Sequence, residues 1–123
     1  MLTTTTPETL LLVDPDPLQR AVVADYLRGC GYRVIEATTA HEAVTALTDQ
    51  EVAVVVTDIH LRDASGFELS AKAKEIRPGV AVVLTHAPER TAKLAGDLCE
   101  DGPLDHPYHP QLLVDRIKRL RRS

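Results

Sequence analysis

Three stretches of the chain are almost continuously apolar and rich in valine: TLLLV (Thr9 to Val13), VAVVVT (Val52 to Thr57) and VAVVLT (Val80 to Thr85). Strands buried on both faces of a parallel sheet read this way, because neither face meets water. A fourth run, YRVIEA, alternates more and predicts a strand nearer the sheet edge, while GPLDHP predicts at best a short fifth. Between these runs the spacing becomes helical. Leu18, Val22 and Tyr26 stand at i, i+4 and i+8 after Asp16, a suitable N-cap, and the helix they predict stops near Gly29 or Gly31. Thr39 and Glu42 fit a capping box ahead of Ala43, Val44 and Leu47. A third helix runs from Phe67 to Arg77, aligns Leu69, Ala73 and Ile76, and halts before Pro78 and Gly79. A fourth starts near Pro88 with Thr91, Ala95 and Leu98 on one face. The last begins at Pro110 and aligns Leu113, Ile117 and Leu120.

Five repetitions of strand then helix, joined by short connections, imply right-handed crossovers and a doubly wound α/β domain with helices on both faces of a parallel sheet. At 123 residues, 44% hydrophobic and 26% charged, the chain suits one domain, expected over residues 8–121 behind a threonine-rich flexible tail at 1–7. Its longest apolar runs fall far short of the roughly 18 residues a membrane span needs, and MLTTTTPE lacks the basic and apolar regions of a signal peptide. A cytoplasmic protein is expected. Cys30 and Cys99 have no metal-type spacing and read as buried or half-buried free thiols. The net charge of −4 argues against nucleic acid as the main partner. The basic end DRIKRLRRS reads as a solvated last helical turn whose cations complement the helix dipole.

In open sheets of this kind ligands bind beyond the carboxyl ends of the strands, where strand order reverses. There the sequence places Asp14 and Asp16 after the first strand, Asp58 after the third, Thr85 closing the fourth, and Asp105 and His106 after the fifth. An aspartate can act as a nucleophile toward a phosphoryl group, neighbouring carboxylates can help hold Mg²⁺, and a hydroxyl with a cation can hold the transferred oxygens. Singly, each residue has a plainer use as a cap, a turn residue or the end of a strand. Together, at the same end of different strands, they point to one acidic rim.

The stretches LLLVDPDPLQRAVVADYLRGCGYRVIEA, VVVTDIHLRDASGFEL, VVLTHA and DHPYHPQLL resemble the receiver domain of two-component response regulators, from about Glu8 to Leu120. The resemblance implies a flavodoxin-like (βα)5 fold with strand order 2-1-3-4-5. It puts Asp58, with Gly66 eight residues on, at the phosphoacceptor position and Thr85 at that of the hydroxyl contacting the phosphoryl group. It also implies partners: a histidine kinase, a phosphotransfer protein or an effector domain.

Three positions depart from the family pattern. Of the two adjacent acids after the first strand, Asp14 matches the first, but Pro15 stands where the direct Mg²⁺ ligand belongs, with Asp16 one residue further on. His106, before Pro107, replaces the family's lysine, and Pro103 its aromatic switch residue. An aspartyl phosphate carries about 1.5 to 2 negative charges in place of the carboxylate's one, and the family's Mg²⁺ and lysine offset them. The reading is therefore a pseudo-receiver, a signalling module of a phosphorelay rather than an enzyme. Its phosphorylation is impaired, and a weak Mg²⁺ site is what Asp14, Asp16 and Asp58 can offer. A fully working phospho-accepting regulator is the alternative. LLLVDPDP also looks like the DxD opening of haloacid-dehalogenase-type phosphatases, with Asp14 as nucleophile, but it lacks the residues that usually follow and leaves Asp58 unexplained. A purely structural flavodoxin-like domain is a further reading, and no glycine-rich phosphate loop gives it a cofactor.

Overall fold

A computed structural model describes residues 8–85 and 110–122. Four strands, β1 (Thr9–Val13), β2 (Arg33–Ala37), β3 (Val54–Asp58) and β4 (Ala81–Thr85), form one parallel sheet in the order β2-β1-β3-β4. Helices α1 (Pro17–Gly29), α2 (Ala40–Asp49) and α3 (Gly66–Ile76) each follow one of the first three strands, and α4 spans Pro110–Arg122. The short fifth strand and the helix expected near Pro88 lie outside the described residues.

Successive side chains of a strand point to opposite faces, so each valine-rich run feeds two cores. Leu11, Val13, Val55, Val82 and Leu84 pack on one side with Ala43 and Leu47 of α2 and Leu69 and Ala73 of α3. Leu10, Leu12, Val54, Val56 and Val83 pack on the other with Val23, Ala24 and Leu27 of α1 and Leu113, Val114 and Ile117 of α4. Each fully buried leucine or valine contributes about 1.5–3 kcal/mol, which makes the central strands the rigid base on which the rim stands. β2, at the edge, leaves Arg33 and Glu36 exposed, as its alternating pattern predicts.

The stripe expected to be buried on α1 is not the one that faces the sheet. Leu18 and Val22 are 79% and 61% exposed, while Val23, Ala24 and Leu27 are buried. One residue of helix is a rotation of about 100°, and the true stripe is built around an alanine that a search for large apolar side chains passes over. Tyr26 lies between the two faces, its hydroxyl donating to the side-chain carbonyl of Gln111 on α4. α1 closes with a Schellman arrangement: Gly31, at φ +98°, donates its amide to the Arg28 carbonyl, and Tyr32 donates to the Leu27 carbonyl. Cys30 occupies the C-cap and is exposed, correcting the buried or half-buried thiol expected there.

The cap of α2 differs slightly from the expected box. Thr39 accepts the Glu42 amide, but the Glu42 carboxylate reaches Thr38, taking both its amide and its hydroxyl at 2.7 Å. The reciprocal box belongs to α3, where Ser65 and Glu68 exchange backbone and side-chain bonds.

Candidate functional site

The register of the sheet brings the predicted residues together. Val13 stands opposite Thr57 and Asp58 opposite Thr85, so Asp14, Asp58 and Thr85 lie side by side where β1, β3 and β4 end. β1 and β3 flank the point at which strand order reverses. All three side chains are buried, Asp14 at 3% exposure, Asp58 at 8% and Thr85 at 2%.

On the β3 side the backbone does the fixing. Asp58 Oδ1 accepts the His60 amide at 2.8 Å. The Ile59 amide bonds the Thr85 carbonyl at 3.2 Å, and the Gly66 amide bonds the Ile59 carbonyl at 2.7 Å. Gly66 is required by close approach: a Cβ there would stand 2.6 Å from the Asp58 carbonyl oxygen and 2.9 Å from the Ile59 Cα. Thr57 Oγ1 donates to the Asp58 carbonyl at 2.9 Å. Among the described residues Thr85 Oγ1 makes only a long bond, 3.4 Å, to the Thr57 carbonyl, so its hydroxyl is weakly held there and can turn to another acceptor.

On the β1 side the carboxylates have local work. Asp14 Oδ1 accepts the Asp16 amide at 2.9 Å across Pro15. Asp16 is the exposed N-cap of α1, with Oδ1 accepting the amides of Leu18 at 3.0 Å and Gln19 at 3.2 Å, and Pro17 takes the first helical position. Arg20 donates to the Asp14 carbonyl at 2.9 Å and pairs with Glu36 at 3.1 Å. Arg28 holds the second oxygen of Glu36. Burial, reinforced by the charges of Asp58 and Asp16, raises the pKa of Asp14 to about 6, despite the Asp16 amide and the Arg20 guanidinium.

Two carboxylates that repel one another at a strand terminus are a fit for Mg²⁺, which binds through one or two carboxylates and keeps several waters. The fit is thin in charge, because Asp16 is turned toward α1. Among the described residues no three His, Cys, Asp or Glu side chains converge as a metal site. His106 lies outside the described residues. Sequence reasoning missed Arg20, Thr57 and Asp63. A signal existed for Arg20, since a cation in the first turn of a helix opposes the dipole and calls for a specific partner.

The response regulator receiver domain model matches residues 10–118. The chain belongs to this family. It is similar to the probable transcriptional regulatory protein TcrX of Mycobacterium tuberculosis, 30% identical over 115 residues that cover 94% of this chain and 49% of that protein. The phosphate regulon transcriptional regulatory protein PhoB of Pseudomonas aeruginosa is 29% identical over 119 residues, 94% of this chain and 52% of the relative. The chain thus spans about half the length of these relatives. The CheY-like receiver domain protein of Methanospirillum hungatei JF-1 superposes with a TM-score of 0.85 at 27% identity, covering 94% of this chain and 95% of that one. This receiver has the flavodoxin-like fold, and it is a module of two-component signalling. No helix among the described residues is long and apolar enough to cross a membrane.

Proposed function

We propose that this receiver, a cytoplasmic domain over residues 8–121 with a tail at 1–7, keeps its phosphoacceptor at Asp58 but is poorly phosphorylated. It works through protein–protein contacts with a histidine kinase, a phosphotransfer protein or an effector domain. Thr85 is the phosphoryl-contacting hydroxyl and His106 stands at the family's lysine position. The observation that carries this reading is the Asp16 side chain, which caps α1 while Pro15 offers no ligand, leaving Asp14 and Asp58 as the anionic donors. Mg²⁺, when bound, supplies positive charge against the phosphoryl oxygens, and Asp14, Asp58 and the backbone carbonyl of His60 would hold it. With so few anionic donors, affinity on the order of millimolar is expected.

A working receiver is the second reading, supported by the Asp58–Thr85 pairing and the His60 amide on Asp58. The phosphatase reading needs Asp16 free as an acid/base, and its engagement with two α1 amides counts against that role. A Mg²⁺ titration of the whole chain, followed by amide shifts around Asp58, separates the first two. Weak binding that drifts without saturation supports the impaired receiver. A tight saturable site lost on Asp58→Ala restores the working one.

A further inference from the structure

The loop between β3 and α3, residues 59–65, carries the amide that orients Asp58, and Asp63 ties that loop to another element. Asp63 Oδ1 accepts the amide of Ala40 and Oδ2 that of His41, both at 2.9 Å. These are the first two residues of α2. The two backbone bonds hold the Asp63 carboxyl below the usual carboxylate range, exposed though it is. α2 already has its own N-cap, with Thr39 Oγ1 taking the Glu42 amide at 3.1 Å. Asp63 therefore adds a tether between two elements as well as a cap.

The loop it tethers is closed on itself. Leu61 donates its amide to the Ala64 carbonyl at 3.2 Å, His60 pairs with Ser65 as an antiparallel bridge, and Gly66 seals the ring onto Ile59. Asp63 sits at the turn of this ring, and His60, whose amide holds Asp58 Oδ1, sits on its limb. The ring's own backbone bonds thus join Asp63, held to α2, with His60, held to Asp58.

We propose that Asp63 is a positioning residue: by clamping the 59–65 loop to the N-terminus of α2 it sets the His60 amide, and through it the direction of the Asp58 carboxylate. The inference rests on the reading of Asp58 as acceptor. A residue that merely stabilises α2 would act on folding alone, and Thr39→Ala, which removes a bond at the same helix end without touching the loop, is the control. Both Thr39→Ala and Asp63→Ala should lower the thermal midpoint of the full chain. Only Asp63→Ala should move the His60 amide resonance and speed its hydrogen exchange.

In a Pro15→Asp/His106→Lys background, Asp63→Ala should also slow modification of Asp58 by acetyl phosphate, at saturating Mg²⁺, by about tenfold, as misplacement of a reacting group does. Asp63→Asn, which keeps one acceptor, should fall between, and it carries the comparison if Asp63→Ala does not fold. Equal movement of the His60 resonance in Thr39→Ala and Asp63→Ala, or none in either, overturns the clamp. If the background is not modified at Asp58, the acceptor reading fails, and the His60 resonance still decides the clamp.

Discussion

Asp58 ends β3 and Asp14 directly follows the neighbouring β1, yet they are held by different means. Asp58 takes an amide from a loop locked by backbone bonds and by a glycine packed on its own carbonyl. Asp14 takes an amide from a turn whose middle residue is proline and whose next carboxylate faces the helix it caps. The β3 side presents a carboxylate whose direction is set by the His60 amide. The β1 side presents one that burial and neighbouring charge push toward its neutral form. A phosphoryl site needs both halves, because one carries the acceptor and the other gathers the charge that offsets the product.

The largest effect should come from the locked side. Gly66→Ala puts a Cβ against two backbone atoms that cannot turn aside, and it should destabilise the fold by roughly 2–3 kcal/mol in urea unfolding. Tolerance of alanine there would show that the loop is looser than its bonds imply.

The β1 side should respond in the opposite direction. Folding raises the Asp14 pKa to about 6 from 3.8, so the native state binds that proton more tightly than the unfolded chain. The associated stability is full below about pH 4 and is lost as pH rises through about 6. Asp14→Asn should therefore stabilise the fold by about 2–3 kcal/mol at pH 7, the order of a two-unit shift, and by no more than about 0.5 kcal/mol at pH 4. Denaturation midpoints across that range check both sign and window.

Asp16→Ala sharpens the contrast between capping and metal binding. Loss of the N-cap should cost about 1 kcal/mol in thermal unfolding while leaving Mg²⁺ affinity nearly unchanged. A marked loss of Mg²⁺ binding would mean that Asp16 reaches the ion after all. The smallest effect belongs to Ser70 on α3, whose buried hydroxyl has no hydrogen-bond partner among the described residues. Ser70→Ala should leave stability unchanged or raise it by about 0.5–1 kcal/mol.

The strands were readable because a two-sided core demands unbroken apolar runs, and the rim followed from where those runs stop. The start and end of α1 were equally local, in Asp16 and Gly31. Its buried face was not, because helix spacing admits both Leu18–Val22 and Val23–Leu27, and only packing against β1 and α4 chooses between them. Ser65 and Glu68 are legible in the sequence as a capping box, which starts α3 at Gly66, one residue before the expected Phe67. The sequence marks Asp16 as a cap, but the conflict between that role and metal binding emerges only with its two amide bonds. The bond from Asp63 to α2 spans more than twenty residues and leaves no local pattern to read.

We infer that the acceptor at Asp58 is intact and its charge-offsetting surroundings are not. Incubation of the native chain and of Pro15→Asp/His106→Lys with acetyl phosphate and Mg²⁺, with intact mass reading modification at Asp58, tests it most directly. Little modification of the native chain and a clear gain in the double variant, larger than either single change gives, is the predicted result. Modification of the native chain as readily as the double variant would show that the site is not impaired and that the Asp14-Pro15-Asp16 turn is another way to build a working one.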